Sequence, residues 1–260
     1  MNFEVINSKD NSKIKILKKL ATKKYRKEFR RFFIESIKVI NDVARIGLFC
    51  DELYVSKKLL ETKREFVDEL IAQVKPRNTF VMAESLVESI SNLSTPTGIF
   101  AVYPFVESVL DSNSSCVYLN NINDPGNLGS ILRTACALGY KNIIIDGGCA
   151  EIYNYKTLQA ARDSIFKLNI VVDNKLELIN KLKIDFDIIV SDLKGDVDLD
   201  DLRINKKFLV VFGNEANGVS RDIYATANYR LKINMKGNVE SLNVLSAASI
   251  ILYQLQSNGK

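Results

Sequence analysis

Apolar positions follow two regimes along the 260 residues of this chain. Up to about residue 105 they take helical and extended spacings in turn. Ile14, Leu17 and Leu20 to Ala21 make an apolar stripe inside a lysine-rich stretch, which predicts a basic helix over roughly 12 to 25 with its charges outward. Phe33, Ile37, Ile40 and Ala44 predict a second amphipathic helix over roughly 33 to 46, stopped at Gly47. Glu52 to Val55, Thr79 to Met82 and Gly98 to Tyr103 read as short strands, separated by charged helical segments near 57 to 74 and 84 to 92. The expectation is a small α/β unit over residues 1 to 105. Residues 106 to 115 are polar and end in Asp111-Ser112-Asn113-Ser114-Ser115, which reads as a linker.

From Cys116 to residue 260 the pattern changes. Val117 to Leu119, Ile143 to Ile145, Ile188 to Val190 and Phe208 to Phe212 are apolar without alternation, as in a parallel sheet covered on both faces. Helical stretches near 128 to 139, 174 to 183 and 242 to 256 separate or follow them. The last is apolar nearly all round, through Val244, Leu245, Ala247, Ala248, Ile250, Ile251, Leu252 and Leu255, so it is expected in a core or against a second subunit.

Composition narrows the class. With 47% apolar residues, no run long enough to span a bilayer and no signal-peptide layout at Met1-Asn2-Phe3-Glu4, a soluble cytoplasmic protein is expected. Cys50, Cys116, Cys136 and Cys149 form no CxxC pair and lie in or beside apolar segments, so they read as core thiols. Histidine is absent, which removes the commonest general base, most catalytic triads and every histidine-containing zinc site; no metal is expected.

The net charge of +5 is unevenly spread. Between Lys9 and Arg31, eleven basic residues face only Asp10 and Glu28, so this stretch carries +9 and the rest of the chain −4. A concentrated positive patch on a slightly acidic protein suits a polyanion. Lys18, Lys19, Lys23, Lys24 and Arg26 are the expected RNA contacts, set against the plainer reading of a solvated helix face.

Three blocks carry the chemistry. Asn123-Asp124-Pro125-Gly126-Asn127-Leu128-Gly129 is turn chemistry between a strand and a helix, and it runs on to Arg133, an ionic residue in an otherwise apolar helix. Phe212-Gly213-Asn214-Glu215-Ala216-Asn217-Gly218 puts glycines and polar groups at a strand's carboxyl end, the usual ligand crevice of open α/β sheets, where Gly213 and Gly218 would let backbone approach a ligand. Ile233-Asn234-Met235 leads through Gly237 to Ser241-Leu242-Asn243, which launches the last helix.

In content and order these blocks resemble the signature motifs of the SpoU (TrmH) family of RNA 2'-O-ribose methyltransferases, in the SPOUT superfamily. The resemblance implies a SPOUT trefoil-knot domain with a parallel sheet over residues 116 to 260. It also implies a ribosomal-protein-like RNA-binding domain before it, whose opening pattern matches Lys24-Tyr25-Arg26 and Phe33-Ile34-Glu35. S-adenosyl-L-methionine is the implied donor, with Gly213, Ile233, Met235 and Leu242 at cofactor positions and no acidic ribose clamp required. Asn127, Arg133, Glu215, Ser241 and Asn243 fall on catalytic and supporting positions. A homodimer through the C-terminal domain is implied as well.

The chain departs from the family pattern at Ser36 and Ala216, where glycine is usual, at Asn234, often proline, and at Leu245, often a small hydroxyl residue. Gln159 to Ser164 also differs. The changes at Asn234 and Leu245 remove no reacting group, and the role of the loop Gln159 to Ser164 is left open by the mismatch.

Methyl transfer from a sulfonium to a hydroxyl consumes positive charge, so a partly desolvated site favours it. A guanidinium stays protonated at physiological pH, so Arg133 is better read as binding a phosphate and stabilising the developing alkoxide than as a base. The proton then leaves to that phosphate, to water or to Glu215. The RNA-binding domain points by family analogy to ribosomal RNA, in a housekeeping or antibiotic-resistance setting. The alternatives are a tRNA ribose methyltransferase and a non-catalytic RNA-binding protein on the same fold, against which the intact polar set argues.

Overall fold

In the computed structural model of the protein, which describes residues 3–257, the lysine-rich stretch folds as two helices rather than one. The first unit, Met1–Glu107, contains β1 (Glu4–Ile6), α1 (Ser12–Lys19), α2 (Lys23–Phe29), β2 (Arg31–Ile34), α3 (Ile37–Arg45) and β3 (Glu52–Ser56). It continues with α4 (Lys57–Thr62), α5 (Arg64–Val74), β4 (Asn78–Met82), α6 (Glu84–Ile90) and β5 (Ile99–Pro104). The break falls at Thr22, whose backbone is extended. Arg26 Nη1 donates to Leu20 O at 2.8 Å and so satisfies a carbonyl that the end of α1 leaves open.

The expected helix over 33 to 46 is corrected in the same way. Phe32, Phe33 and Ile34 are buried in β2, which pairs antiparallel with β5 through Phe32 to Tyr103 and Phe33 to Val102. Consecutive aromatic and β-branched residues fit a strand covered on both faces, and the helix begins only after the extended Ser36. It buries Val39, Ile40 and Val43 and ends ahead of Gly47, which has φ +74°. The five strands run in the order β1-β4-β3-β5-β2, with β1, β4 and β3 mutually parallel. Glu35 is buried and accepts from Ser91 Oγ at 2.6 Å and Asn92 N at 2.9 Å, tying β2 to the segment after α6.

The second unit, from Ser108, contains β6 (Cys116–Leu119), α7 (Pro125–Ala137), β7 (Asn142–Asp146), α8 (Tyr155–Ala161), a 3-10 turn (Arg162–Phe166), β8 (Asn169–Asp173) and α9 (Glu177–Leu182). It ends with β9 (Asp187–Ser191), β10 (Val197–Asp198), β11 (Phe208–Phe212), α10 (Arg221–Tyr224), β12 (Tyr229–Lys232) and α11 (Val244–Ser257). All pairings in its sheet are parallel, in the order β10-β12-β9-β11-β6-β7-β8. The polar stretch before β6 is held to this unit: Asn142 Nδ2 donates to Asp111 O at 2.7 Å and to Ser114 O at 3.1 Å, and Asn142 Oδ1 accepts from Asp111 N at 2.9 Å.

Two packing features position the site. Gly129 lies where α8 crosses α7, and a Cβ there would come within 2.5 Å of Thr157 O and 2.7 Å of Ala160 Cβ. The helix α11 packs on α7, burying Val244, Ala248, Ile251, Leu252 and Leu255, and Leu252 O accepts from Tyr140 Oη at 3.0 Å. Because β12 lies on the far side of β9 from β11, while α7 follows β6, residues 233–243 must cross the carboxyl ends of β9, β11 and β6. Among the described residues no helix is long and apolar enough to cross a membrane.

Cys50, Cys116 and Cys149 are buried and Cys136 half-buried, all four as free thiols. Burial raises the first three from the ordinary 9.0, Cys50 and Cys149 to about 12 and Cys116 to about 11. Above pH 9 the unfolded chain releases these protons while the folded chain keeps them. Their contribution to stability is therefore complete below about pH 9 and is lost as pH rises towards 12. Denaturant titrations should show stability falling across that range, and a thiol reagent at pH 8 should label Cys136 well before the other three.

Candidate active site

The three sequence blocks meet at the carboxyl ends of β6, β11 and β12. The first enters α7 by a capping turn: Asp124 accepts from Asn127 N at 2.7 Å, and Pro125 occupies the first helical turn, where its missing N–H costs nothing. The second closes into a tight loop after β11, with reciprocal bonds between Asn214 and Gly218 at 3.1 and 2.9 Å. Gly213 is required here for a reason other than ligand approach. Any Cβ on it would collide with the backbone of Gly218 and Val219, so the residue lets the loop fold on itself. Gly218 has φ +66°, whereas Ala216 lies outside the positive-φ region, so its methyl group is accommodated without strain.

Side chains join the blocks through Asn127. Its Nδ2 donates to Glu215 Oε1 at 2.5 Å, and its Oδ1 accepts from Asn243 Nδ2 at 3.5 Å. Asn243 Oδ1 in turn accepts from Leu245 N at 2.9 Å in the first turn of α11. A carboxylate can only accept and a peptide N–H can only donate, so the two ends of this chain of bonds fix the orientation of both amides.

Beside the cluster lies a cavity of about 260 Å³. Phe212, Ile233, Met235, Leu242, Val244 and Ala247 give it apolar walls, and Gly213, Glu215 and Ser241 also line it. Flat apolar walls next to peptide groups and a few polar side chains suit a molecule such as S-adenosylmethionine, which carries an aromatic base, hydroxyls and a sulfonium centre.

Of the predicted site residues, Gly213, Glu215, Ile233, Met235, Ser241 and Leu242 therefore line one cavity, and Asn127 and Asn243 stand next to it through Glu215. Arg133 stands apart. It is exposed, does not line the cavity and makes no side-chain hydrogen bond or ion pair among the described residues. Six helical positions carry it about 9 Å along α7 from Asn127 and onto a different face.

In the first unit Lys18, Lys19, Lys23 and Lys24 are exposed. The Nζ atoms of Lys19 and Lys24 lie 5.0 and 5.6 Å from the Tyr25 ring centroid. Arg26 corrects the expectation of a surface contact: it is only 6% exposed and holds Leu20 O, so its guanidinium serves the junction of α1 and α2.

Other residues of the site escaped the motif reading. Asn120 is buried at the end of β6, where its Nδ2 donates to Asp146 Oδ2 at 2.5 Å and its Oδ1 accepts from Ser220 N at 2.7 Å. Asp146 also accepts from the N–H groups of Asn121, Gly148 and Cys149 at 3.0 to 3.1 Å. The available signal was an acidic residue ending an apolar strand directly before Gly147-Gly148. Asp192 and Tyr224 line the cavity as well, and no motif marks them.

A parallel-sheet domain with a lined cavity and a polar cluster at its carboxyl ends defines a class of small-molecule-dependent enzymes, and comparison with known proteins specifies which. Residues 114–253 match the model of the SpoU rRNA Methylase family, and residues 11–101 match an MRM3-like substrate binding domain. The chain belongs to the SpoU rRNA methylase family, and it is an S-adenosylmethionine-dependent RNA 2'-O-ribose methyltransferase. It is similar to the 23S rRNA (guanosine(2553)-2'-O)-methyltransferase RlmP of Bacillus subtilis, at 27% identity over 96% of this chain and 98% of the relative. It is also similar to the 23S rRNA (uridine(2479)-2'-O)-methyltransferase of Streptomyces viridochromogenes, at 28% identity over 72% and 69%. In fold it is similar to the AdoMet-bound rRNA methyltransferase from Sinorhizobium meliloti, with a TM-score of 0.84 at 24% identity over 99% of each chain.

Proposed function

We propose that this enzyme methylates a ribose 2'-hydroxyl of ribosomal RNA in the cytoplasm, with Asn127, Arg133, Glu215, Ser241 and Asn243 carrying the reaction. The supporting observation is the side-chain cluster through which Asn127 joins Glu215 to Asn243 at the cavity's edge. Both curated relatives described above are named for 23S rRNA, and the match to a substrate binding domain covers most of the first unit.

Gly213, Ile233, Met235 and Leu242 would hold S-adenosylmethionine, which supplies an electrophilic methyl group when bound. The work of the chain is to bring one ribose hydroxyl to that point and to manage its proton. Asn127 keeps Glu215 facing the cluster, and Glu215 is the carboxylate there able to take the proton. Arg133, exposed on another face of α7 and apart from Glu215, is read as taking the phosphate beside the target nucleotide and, from the second subunit of the dimer, stabilising the alkoxide as it forms. Asn243 holds the start of α11 in place, and Ser241 lines the cavity beside it.

This division of labour has a kinetic consequence. Arg133→Ala should lower kcat by a factor of roughly 100 or more while changing donor affinity less than about threefold, because the side chain serves the RNA and the transition state. Single-turnover methylation combined with calorimetry of the donor checks it; a large loss of donor affinity would place Arg133 in the donor site.

Substrate affinity is assigned to the first unit. Changing Lys18, Lys19, Lys23 and Lys24 together to glutamine should weaken RNA binding and lower the slope of log affinity against log salt by roughly 0.7 to 0.9 for each phosphate no longer neutralised. An unchanged slope would mark the patch as a solvated face. Arg26→Ala should instead lower thermal stability, in keeping with its burial.

The enzyme is further read as a homodimer through α11. Although one side of that helix is core, Ile250 is 43% and Tyr253 64% exposed one turn apart, an apolar strip on the helix that carries the site's third block. Light scattering of the full chain should give twice the monomer mass, and Ile250→Glu with Tyr253→Glu should give the monomer. A wild-type monomer at micromolar concentration would refute the assignment.

A further inference from the structure

The cavity wall holds a second carboxylate that the three blocks leave unexplained. Asp192 follows β9 directly. Its Oδ2 accepts from the Tyr224 hydroxyl at 2.6 Å, its Oδ1 accepts from Lys194 N at 3.0 Å, and its own N–H donates to Leu231 O at 2.9 Å. The turn that carries it is fixed from behind. Gly195 N donates to Asp192 O at 3.3 Å, and Gly195 packs against the Arg230 backbone so closely that a Cβ would not fit. The Arg230 guanidinium covers the Tyr224 ring at 5.2 Å from its centroid. The hydrogen bond to Asp192 raises the Tyr224 phenol above its ordinary value.

These contacts leave lone pairs uncommitted on both carboxylate oxygens, at a point in the wall between apolar side chains and peptide groups. A turn-forming aspartate and a tie to α10 would account for the bonds made, but either would serve equally well facing solvent. The adenosine part of the methyl donor has the complementary character: a flat base suited to Phe212, Ile233 and Leu242, and two adjacent hydroxyls that need acceptors. We infer that Asp192, positioned by Tyr224, is a donor-binding residue that accepts hydrogen bonds from the ribose hydroxyls of S-adenosylmethionine. The inference rests on the methyl-donor reading of the cavity. It adds an acidic ribose contact that the family motifs do not require. Because the contact is to hydroxyls and not to the sulfonium, it holds the product S-adenosylhomocysteine as firmly as the donor.

Calorimetry on the full chain separates the possibilities. Wild-type protein should bind S-adenosylhomocysteine about tenfold or more tightly than its 2'-deoxy or 3'-deoxy analogue, the scale of a hydrogen bond to a charged group. Asp192→Asn should lose roughly that factor for the parent ligand, equally for donor and product, and should distinguish poorly between parent and deoxy analogues. Tyr224→Phe should show the same pattern with a smaller loss. A wild type indifferent to the ribose hydroxyls would overturn the inference, as would an Asp192→Asn variant that keeps the wild-type preference, even if its melting temperature falls. A loss confined to the cationic donor would also overturn it, by marking attraction to the sulfonium instead. Failure of the wild type to bind donor or product at all would sink the methyl-donor reading together with this one, whereas wild-type binding without hydroxyl discrimination would sink this one alone.

Discussion

The carboxylate of Asp146 is the fixed point on which the site is built. A parallel sheet has no hairpins at its ligand end, so the loops leaving neighbouring strands must be held together by something other than the ladder. Asp146, at the end of β7, gathers N–H donors from Asn121, Gly148 and Cys149 and the side-chain amide of Asn120. Asn120 passes the connection on, donating its own N–H to Phe212 O at 2.9 Å and accepting from Ser220 N. The ends of β6 and β7 and both sides of the loop after β11 are thereby tied to one ionic group. Without that group, a buried amide and several peptide N–H groups would lack partners, at a cost of about 1–3 kcal/mol for each one left buried and unpaired.

Asn214 completes this framework by donating from Nδ2 to Asn121 O at 3.0 Å while its Oδ1 accepts from Ala216 N and Asn217 N. The polar residues of the second block therefore divide into two kinds. Asn214 shapes the loop and holds the backbone of Asn121 just ahead of the first block, whereas Glu215 is presented outward to Asn127. Gly213 belongs with Asn214, since what its missing side chain admits is the loop's own backbone. The motif is largely a device for aiming one carboxylate.

What could be read from the sequence follows from the distance over which each signal acts. The strands from Val117 to Leu119 and from Phe208 to Phe212 were legible because burial on both faces leaves an unbroken apolar run. The three blocks were legible because turn residues and polar side chains are concentrated within a few positions. Phe33 was misassigned because its spacing to Ile37 and Ile40 fits a helix, while pairing with Val102, far along the chain, decides for a strand. The strand β8 was overlooked: its residues are mostly only partly covered at the sheet's edge, so Asn169 to Asp173 lacks the saturated pattern of its neighbours. Arg26 shows the limit of charge counting, since a tally of basic residues cannot tell a cation that faces solvent from one that caps a buried carbonyl. Asn120, Asp146 and Asp192 lay outside reach for a related reason. Each acts through a partner 26 to 100 residues away.

The bond from Leu245 N to Asn243 links folding to chemistry more directly than any motif. In the first turn of α11 it satisfies an N–H that the helix cannot pair internally, so it stabilises the helix start by about 1 kcal/mol on general grounds. It also commits Asn243 Oδ1 as an acceptor, which turns Nδ2 towards Asn127 Oδ1 and leaves the Asn127 amide no orientation except one that donates to Glu215. Since α11 reaches that position only after residues 233–243 have crossed three strand ends, the crossing must be complete before Glu215 is aimed. The same crossing carries Ile233, Met235, Ser241 and Leu242 into the cavity wall. Cavity wall and polar cluster are therefore assembled by one crossing, and a chain that failed to make it would lose both together.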